Sequence, residues 1–309
     1  MNISLIIPVY NAERFLEKAV NSALQFSEVK EVLLIEDKSP DNSLEVCKKL
    51  VEKDSRVKLF QHPDQGNHGA GASRNLGLMK ASQDFIAFLD SDDYYLPNRF
   101  DAEKEIFKDK KIEGVFGALG TEFLSEKGQK EFQEKFKETK LTTVTYSGEG
   151  NAVLEGLMNP NNTFGTFFHL NTITIRKEAL KKANLKFNEN LRVHQDQDFI
   201  TKLAYHLYLK TGNITSAIAI RGVHDNNRIT KIKLYSTEYN TRQNLLWNSL
   251  WTWAKEHKMD NTIKKHIHLQ QKSFELSQKK GISKYISLLI EILKNPMLLK
   301  TRYRFTYTT

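Results

Sequence analysis

Three carboxylates stand within four residues at Asp90, Asp92 and Asp93, with Ser91 between the first two. Charges this close repel one another unless a cation or strong hydrogen-bond donors compensate them. Mg²⁺ or Mn²⁺ would suit the cluster, because both ions prefer oxygen ligands and keep positions open for phosphate oxygens. A turn with aspartate at a helix cap is the alternative, since aspartate is common there. The cluster by itself leaves the two interpretations evenly balanced.

A second carboxylate that could do chemistry is Asp196, at the start of a helix predicted over residues 194–209. It precedes Phe199 by three residues and Leu203 by seven, so helical spacing predicts that Asp196 points inward. Asp198 is predicted to point more outward. The helix dipole favours an ionised carboxylate at this end, which suits a general base. A structural ion pair is the alternative.

A glycine-bearing loop over residues 66–75 (GNHGAGASRN) enters another predicted helix. Its backbone N–H groups and the guanidinium of Arg74 suit a phosphate. The loop is not a Walker motif, because no Gly-Lys-Ser or Gly-Lys-Thr follows. The first predicted turn (PVYNAERF) has no glycine, which argues against a hydride-transferring dehydrogenase.

Buried strands and amphipathic helices alternate along the first 90 residues. Residues 3–10 (ISLIIPVY), 31–37 and 84–90 are nearly continuous apolar runs, as strands covered on both faces of a parallel sheet are. Helices predicted between the strands make this a doubly wound α/β sheet. Ligands bind such sheets at the carboxyl ends of the strands. The polar segments at those ends are Pro8–Asn11, Glu36–Asp41, Gln65–Arg74 and Asp90–Asp93.

The chain is less regular after Pro97. Strands are predicted over residues 110–120 and 166–176, and a further strand over 215–227 runs into a polar loop. The charge-rich residues 121–140 are predicted to form a solvated loop or an exposed helix.

The composition is that of a globular protein, with 39% apolar and 27% charged residues among 309. No apolar stretch is long enough to span a membrane, and the N-terminal run is too short for a signal peptide. The single cysteine, Cys47, excludes an intrachain disulfide and fits a reducing compartment. It is predicted to be a buried helix residue.

The basic excess lies in the C-terminal part. Residues 231–309 carry 15 Lys and Arg against 5 Asp and Glu, whereas the rest carries 31 against 32. This part is predicted to consist of amphipathic helices. The apolar stripe within 235–257 is expected to pack on the first domain or on a second subunit, which would give a homo-oligomer. The basic, apolar residues 279–305 are expected to rest on an anionic membrane surface.

Taken together, these segments resemble the inverting glycosyltransferases of family 2, which have the GT-A fold. The resemblance covers residues 3 to about 230. Six motifs in the correct order and spacing carry it: PVYNAERFL, LIEDKSPDNS, NHGAGASRNLGL, FIAFLDSDDYYLP, FNENLRVHQDQDF and RGVHDNN.

The resemblance implies a nucleotide-diphosphate sugar donor, usually a UDP-sugar. Pro8, Tyr10 and Asn11 match the nucleotide-binding first loop. Asp37 matches the acid that contacts the base, and Arg74 matches the arginine near the base and phosphates.

The resemblance also implies a metal site and a catalytic base. Asp90 and Asp92 match the two ends of the Asp-x-Asp motif that holds Mn²⁺ or Mg²⁺, with Ser91 inside this donor-binding motif. His224 matches a histidine that closes on the diphosphate or the metal. Asp196 matches the catalytic base, which would take a proton from an acceptor hydroxyl during a single in-line displacement with inversion.

Three departures from the family pattern affect these expectations. Glu36 and Lys38 replace the Asp and Gly common in that loop, which puts the base contacts in doubt. Gln195 replaces the usual Glu before the base, and Ser73 stands where Ala is usual. The acceptor-side loop is therefore expected to differ at Gln195, whereas Ser73 is expected to be silent.

The predicted organisation is a GT-A domain over residues 1–230 and a basic, helical C-terminal extension over 231–309. The domain comprises a nucleotide-sugar half (1–97) and an acceptor half (98–230). The acceptor is expected to be a glycan or a lipid-linked hydroxyl, and the location cytoplasmic, peripheral on the inner membrane face. A sugar nucleotidyltransferase is the enzymatic alternative. The second alternative is a basic protein that binds nucleic acid. However, the positive charge lies in an apolar-rich tail without a recognition motif. No nucleic-acid partner is therefore expected.

Overall fold

The structure is a computed structural model that describes residues 1–136, 141–159, 163–165, 167–225 and 233–301. The chain divides into two compact units, residues 1–157 with 162–226, and residues 158–161 with 227–309. The domain boundary predicted at 230/231 lies outside the described residues, as do Asn226 and Asn227 of the last motif.

The first unit is built on β-strands whose apolar residues are largely buried. Strand β1 is buried along its whole length, which explains its continuous apolar sequence. The strands in the described residues are Ile3–Val9 (β1), Val29–Glu36 (β2), Val57–Gln61 (β3), Phe85–Phe88 (β4), Tyr94–Tyr95 (β5), Gly114–Phe116 (β6), Ala118–Phe123 (β7), Ile173–Arg176 (β8), Leu209–Thr211 (β9) and Ala217–Val223 (β10).

Seven strands form one sheet in the order β3-β2-β1-β4-β8-β6-β9, and β5-β10-β7 form a second, smaller sheet. Strands β1 to β4 are parallel to their neighbours among themselves, whereas β8 runs antiparallel to both β4 and β6. The predicted mostly parallel α/β sheet is therefore confirmed.

Helices connect the strands as the alternating pattern predicts. Cys47 lies buried in α2, as expected. The helices of this unit are Leu16–Leu24 (α1), Ser43–Lys53 (α2), Ala70–Lys80 (α3), Asp101–Ile106 (α4), Glu126–Phe136 (α5), Asn151–Leu157 (α6), Lys177–Lys182 (α7) and Gln195–His206 (α8).

Two predicted strands differ from the structure. Residues 110–120 contribute to two strands in different sheets, β6 and β7, and the chain changes sheet at Gly117, where a Cβ would lie 2.6 Å from the carbonyl oxygen of Asn213. The strand predicted over 166–176 is shorter, because Leu170–Thr172 forms a 3-10 turn before β8. Thr166 and residues 137–140 of the predicted loop or helix lie outside the described residues.

Replacing Gly77 by alanine is expected to destabilise the first unit. A Cβ at Gly77 would lie 2.4 Å from Cγ2 of Ile6 in β1, so helix α3 could not keep its approach to the sheet. Such overpacking costs about 1–3 kcal/mol, which a lower melting temperature would report. Gly71→Ala in the same helix is the matched control, because its Cβ would meet nothing closer than 3.5 Å. Equal melting temperatures for the two variants would contradict this account.

The second unit consists of helices in its described part. These are Thr237–Glu256 (α9), Asn261–Ser277 (α10) and Gly281–Lys294 (α11), followed by a 3-10 turn, Pro296–Lys300. Side chains of Ser236 and Asp260 cap the first two by accepting backbone N–H bonds. The described helices include none that could cross a lipid bilayer.

The apolar stripe predicted within 235–257 lies on α9 and packs on the following helix. The rings of Trp251 and His268 stack with their centroids 4.3 Å apart, and Leu246 and Leu250 are fully buried. The stripe therefore has a partner within its own unit. A second subunit at this stripe stays a prediction.

Candidate functional site

The acidic cluster follows β4 directly, beside the carboxyl ends of β1 and β10. Strands β1 and β4 are parallel neighbours, with Ile6 opposite Phe88. The end of β10 approaches so closely that a Cβ at Gly222 would lie 2.6 Å from the carbonyl oxygen of Asp92. The expected convergence of strand ends is thus present, and it includes a strand more than 120 residues away in the sequence.

A buried asparagine, Asn171, holds the cluster in shape. Its side-chain oxygen accepts the backbone N–H of Asp90 at 3.0 Å, and its Nδ2 donates to Oδ2 of Asp93 at 2.5 Å. The other oxygen of Asp93 accepts the backbone N–H of Gly222 at 2.9 Å. Arg99, also fully buried, donates to the carbonyl oxygen of Asn171 at 3.1 Å. Through these hydrogen bonds Asp93 connects the end of β4 to β10 and to the 3-10 turn, which is a structural role.

Arg74 connects the cluster to helix α8. Its Nη2 donates to Oδ1 of Asp90 at 2.5 Å, and its Nη1 donates to Oε1 of Gln195 at 3.1 Å. Its Nε is buried and has no hydrogen-bond partner among the described residues. Gln195, the departure from the family pattern, thus joins Arg74 to the first turn of α8, directly before Asp196.

The charges of the cluster are only partly compensated. Burial raises the pKa of Asp90, but Arg74 and its other neighbours hold that pKa below its usual value. Burial and the charges of Asp92 and Asp90 raise the pKa of Asp93 well above its usual value, against the charge of Arg221. Three carboxylates thus face two guanidinium groups, and an added cation would improve the balance.

A neutral histidine, His169, lies against the cluster. Its Nε2 is 3.9 Å from Oδ2 of Asp90, and its Nδ1 accepts the backbone N–H of Asn171 at 3.3 Å. Burial, together with the charge of Arg221, lowers the pKa of His169 to about 4. The imidazole is therefore uncharged at neutral pH, which is the form that binds metals.

The structure places His224 beside Asp92. Oδ2 of Asp92 lies 3.2 Å from Nε2 of His224, whose ring stacks on Phe15 with the centroids 4.6 Å apart. Phe15 lies just before α1, so the loop after β1 helps to fix the histidine.

The donor groups fit a divalent cation. Asp90, Asp93 and His169 each offer an atom within 4.8 Å of the others. Asp90 and Asp92 have side chains 30% and 32% exposed, whereas Asp93 is buried with both oxygens bonded. Asp90 and Asp92 are the carboxylates that solvent and a ligand can reach, which favours the predicted pair as ligands.

The predicted orientation of the two aspartates on α8 is wrong. Asp198 is fully buried and pairs with Nζ of Lys202 at 2.7 Å, whereas Asp196 is only partly buried. The ion pair between residues four apart allows Asp198 to face inward, which the apolar spacing does not reveal. Asp196 lies in the first turn of α8, and its charge acts on His169, so it borders the cluster. Its role as a base stays a prediction.

The residues predicted to contact the nucleotide lie in different environments. Pro8 was expected in the first loop, but it is buried within β1, where it is paired with Ile35 of β2. Tyr10 is exposed at the end of β1, and the backbone N–H of Asn11 donates to Oγ of Ser39 at 3.2 Å. Ser91 is buried within the acidic turn.

Asp37 stabilises the glycine-bearing loop through hydrogen bonds. Its carboxylate, almost fully buried, accepts the backbone N–H groups of His68 and Gly69, each at 2.7 Å, and Nδ2 of Asn67 at 3.1 Å. These bonds fix the loop that leads into α3 and Arg74. Contact of Asp37 with a base stays a prediction that this geometry does not favour.

Three residues at the cluster were not identified from the sequence: His169, Asn171 and Arg221. None lies in a motif with metal-ligand spacing, and His169 lies 79 residues after Asp90. Arg221 lies in β10, three residues before His224. This proximity to a residue of a family motif was the only local indication of its role.

The chain is similar to several known proteins. The model of the family described as glycosyl transferase family 2 matches residues 4–164. An uncharacterized glycosyltransferase of Haemophilus influenzae is 45% identical over 102 residues, which are 33% of this chain and 40% of that protein. The chain thus covers less than two thirds of the length of that relative.

Two further proteins are similar over more of the chain. The GalNAc(5)-diNAcBac-PP-undecaprenol beta-1,3-glucosyltransferase of Campylobacter jejuni is 29% identical over 226 residues, 67% of this chain and 71% of that protein. The crystal structure of S. aureus TarS 1–349 in complex with UDP-GlcNAc matches with a TM-score of 0.61 and 17% identity, over 96% of this chain and 81% of that one. This likeness shows the GT-A fold.

Proposed function

Because the chain belongs to glycosyl transferase family 2, we propose that it transfers a sugar from a nucleotide-diphosphate donor to a hydroxyl group with inversion. The donor would be a UDP-sugar, carrying a hexose or an N-acetylhexosamine. The acceptor would be a glycan or a lipid-linked sugar of a cell-envelope polysaccharide.

The observation that carries this proposal is the link between the acidic turn and the start of α8. Arg74 donates hydrogen bonds to both Asp90 and Gln195. Because Gln195 directly precedes Asp196, these bonds connect the start of α8 to the acidic cluster. A donor diphosphate at Asp90 and Asp92 would therefore lie near the carboxylate that is to activate the acceptor. This proximity is what a direct displacement requires.

The diphosphate would be held by positive groups and by a metal. Asp90, Asp92 and His224 would hold Mn²⁺ or Mg²⁺, which when bound neutralises negative charge on the leaving nucleoside diphosphate. Arg74 and Arg221, whose charges act on Asp90, would add donors to the phosphates. Phe15 would keep the ring of His224 directed at this site.

Asp196 would act as the general base. It lies in the first turn of α8, directly after Gln195, which accepts a hydrogen bond from Arg74. The carboxylate would take the proton of the acceptor hydroxyl while that oxygen attacks the anomeric carbon. Since the leaving group and the attacking oxygen occupy opposite faces of the sugar, one such step inverts the configuration.

The substrate classes are supported by the relatives. The C. jejuni relative is named for glucosyl transfer to an undecaprenol-linked glycan, and a structural neighbour was solved with UDP-GlcNAc. Action at the cytoplasmic membrane face would suit both such an acceptor and a chain whose one cysteine is unpaired.

A donor screen tests the proposal. The protein is incubated with UDP-glucose, UDP-galactose, UDP-GlcNAc and UDP-GalNAc, each with Mn²⁺ or Mg²⁺, and released UDP is measured. We expect release from one donor or a small group, and its loss when a chelator removes the metal. Absence of release from every donor, with and without a lipid-linked acceptor, would refute the donor class proposed here.

Asn171→Ala is expected to reduce activity through the acidic cluster. The change removes the donor to Asp93 and the acceptor for the backbone of Asp90. Loss of such a supporting contact typically costs about 10–100-fold in metal affinity or activity. The Mn²⁺ concentration for half-maximal UDP release should rise accordingly. An unchanged metal requirement in a folded Asn171→Ala protein would show that the asparagine is not needed to position the cluster.

A further inference from the structure

Helix α11 has two apolar faces, and one of them packs within the part of its unit that the structure describes. Leu288 and Ile292 on one side pack against Leu276 and Leu298. The adjoining side is apolar as well but exposed, with each of six side chains between 45% and 80% accessible. These six residues, the outer face of α11, are Ile282, Tyr285, Ile286, Leu289, Ile290 and Leu293.

The outer face is one continuous stripe. Its members are spaced at three, four, seven, eight and eleven residues from Ile282, which places all of them on one side of a helix. Met297 and Leu299 in the following 3-10 turn are exposed as well, so apolar surface continues beyond the helix. Contiguous apolar surface of this kind marks an interaction site, because single exposed leucines are common but rows of them are not.

Lysines flank both ends of the stripe. Lys279 and Lys280 precede the helix, and Lys294 and Lys300 follow its apolar residues, all four exposed. Among residues 279–301 the only acidic residue is Glu291, whose Oε1 lies 3.5 Å from Nζ of Lys294. The surface around the stripe is therefore strongly positive.

We propose that the outer face of α11 inserts into the surface of an anionic phospholipid bilayer. With 14 residues the helix is about 21 Å long, too short to span the roughly 30 Å hydrocarbon layer, so it lies in the plane of the interface. Its leucines and isoleucines enter the acyl boundary while the lysines contact phosphate headgroups. Tyr285, at the edge of the stripe, takes the boundary position that tyrosine favours.

Charge decides between a bilayer and a second copy of this chain. A second copy on the same face would bring lysine-rich flanks together, whereas anionic headgroups offer the opposite charge. This inference rests on α11 alone and is independent of the donor and the catalytic base. Arg302 and Arg304, at the end of the segment 279–305 expected to bind a membrane, lie outside the described residues, and the inference does not depend on them.

Vesicle co-sedimentation of the whole chain tests the proposal without any activity measurement. Wild-type protein should partition onto equimolar phosphatidylglycerol–phosphatidylcholine vesicles, less so at high salt, and weakly onto pure phosphatidylcholine. The variant Leu289→Gln with Leu293→Gln should bind about tenfold more weakly for each leucine removed from the bilayer. Both side chains are exposed, so the melting temperature should not change.

Two matched variants separate apolar from electrostatic contributions. Met79→Gln removes an equally exposed apolar side chain from α3 and should leave vesicle binding unchanged. Lys279→Gln with Lys280→Gln should weaken binding to anionic vesicles and reduce its salt dependence.

Three results would overturn the proposal. They are no partitioning of the wild type, equal partitioning onto neutral and anionic vesicles, and unchanged binding of the double leucine variant. Self-association of the wild type in solution that the double leucine variant abolishes, without vesicle binding, would instead assign the face to a second copy.

Discussion

Asp92→Asn is expected to reduce metal-dependent UDP release on the order of 100- to 1,000-fold, which corresponds to several kcal/mol of lost charge stabilisation. Asp92 is one of the two carboxylates in the cluster that a ligand can reach, and its Oδ2 lies next to His224. The amide keeps the size of the side chain but not its charge, so folding should be unaffected. Initial rates over a Mn²⁺ titration measure the effect, and near wild-type activity would refute Asp92 as a ligand.

Asp93→Asn distinguishes the two sets of metal donors. Asp93 accepts hydrogen bonds on both oxygens, from Gly222 and from Asn171, and an amide retains one of these acceptors. If Asp92 and His224 complete the site, Asp93→Asn should keep its activation by Mn²⁺ and lose mainly thermal stability. Loss of metal activation in Asp93→Asn, with retention in Asp92→Asn, would assign the metal to Asp90, Asp93 and His169.

Asp196→Asn is expected to lower the turnover number of sugar transfer by about 100- to 10,000-fold, the usual contribution of a general base. Binding of UDP should be unchanged, because the donor would be held by Arg74 and the acidic cluster. The measurements are kcat with a defined acceptor and the dissociation constant of UDP with Mn²⁺. Retention of kcat would exclude Asp196 as the base.

Asp198→Asn is the matched control on the same helix. Asp198 is fully buried and pairs with Lys202, which is mostly buried, and removing one partner of a buried ion pair typically costs about 3–5 kcal/mol of stability. The variant should therefore melt at a lower temperature, yet turn over normally when assayed well below that temperature. If Asp198→Asn lost turnover and Asp196→Asn did not, the assignment of the base would be reversed.

The alternation of strands and helices was predictable because it follows from local apolar periodicity. Strands β1 and β4 are buried along their length and almost wholly apolar, and β2 has an apolar run over 32–35, so the pattern is clear. The strand over 166–176 was overestimated, because Leu170–Thr172 forms a 3-10 turn and β8 begins only at Ile173. The division of 110–120 between two sheets depends on contact of Gly117 with Asn213, which no local pattern contains.

The sequence by itself determined the family, the fold class and the place of the acidic turn at the end of β4, since motifs and periodicity are properties of neighbouring residues. It also indicated the basic, apolar character of α11. Only the tertiary structure decided which face of α11 is exposed. It also decided that Asp37 binds the backbone of the glycine-bearing loop.

Tertiary structure likewise brought Asn171, His169 and Arg221 to a turn about 80 and 130 residues earlier. It reversed the orientation of Asp196 and Asp198, because a buried carboxylate depends on where its partner lysine lies and not on apolar spacing. Contacts between segments distant in the sequence set the burial and charge of each group, and these set its chemistry.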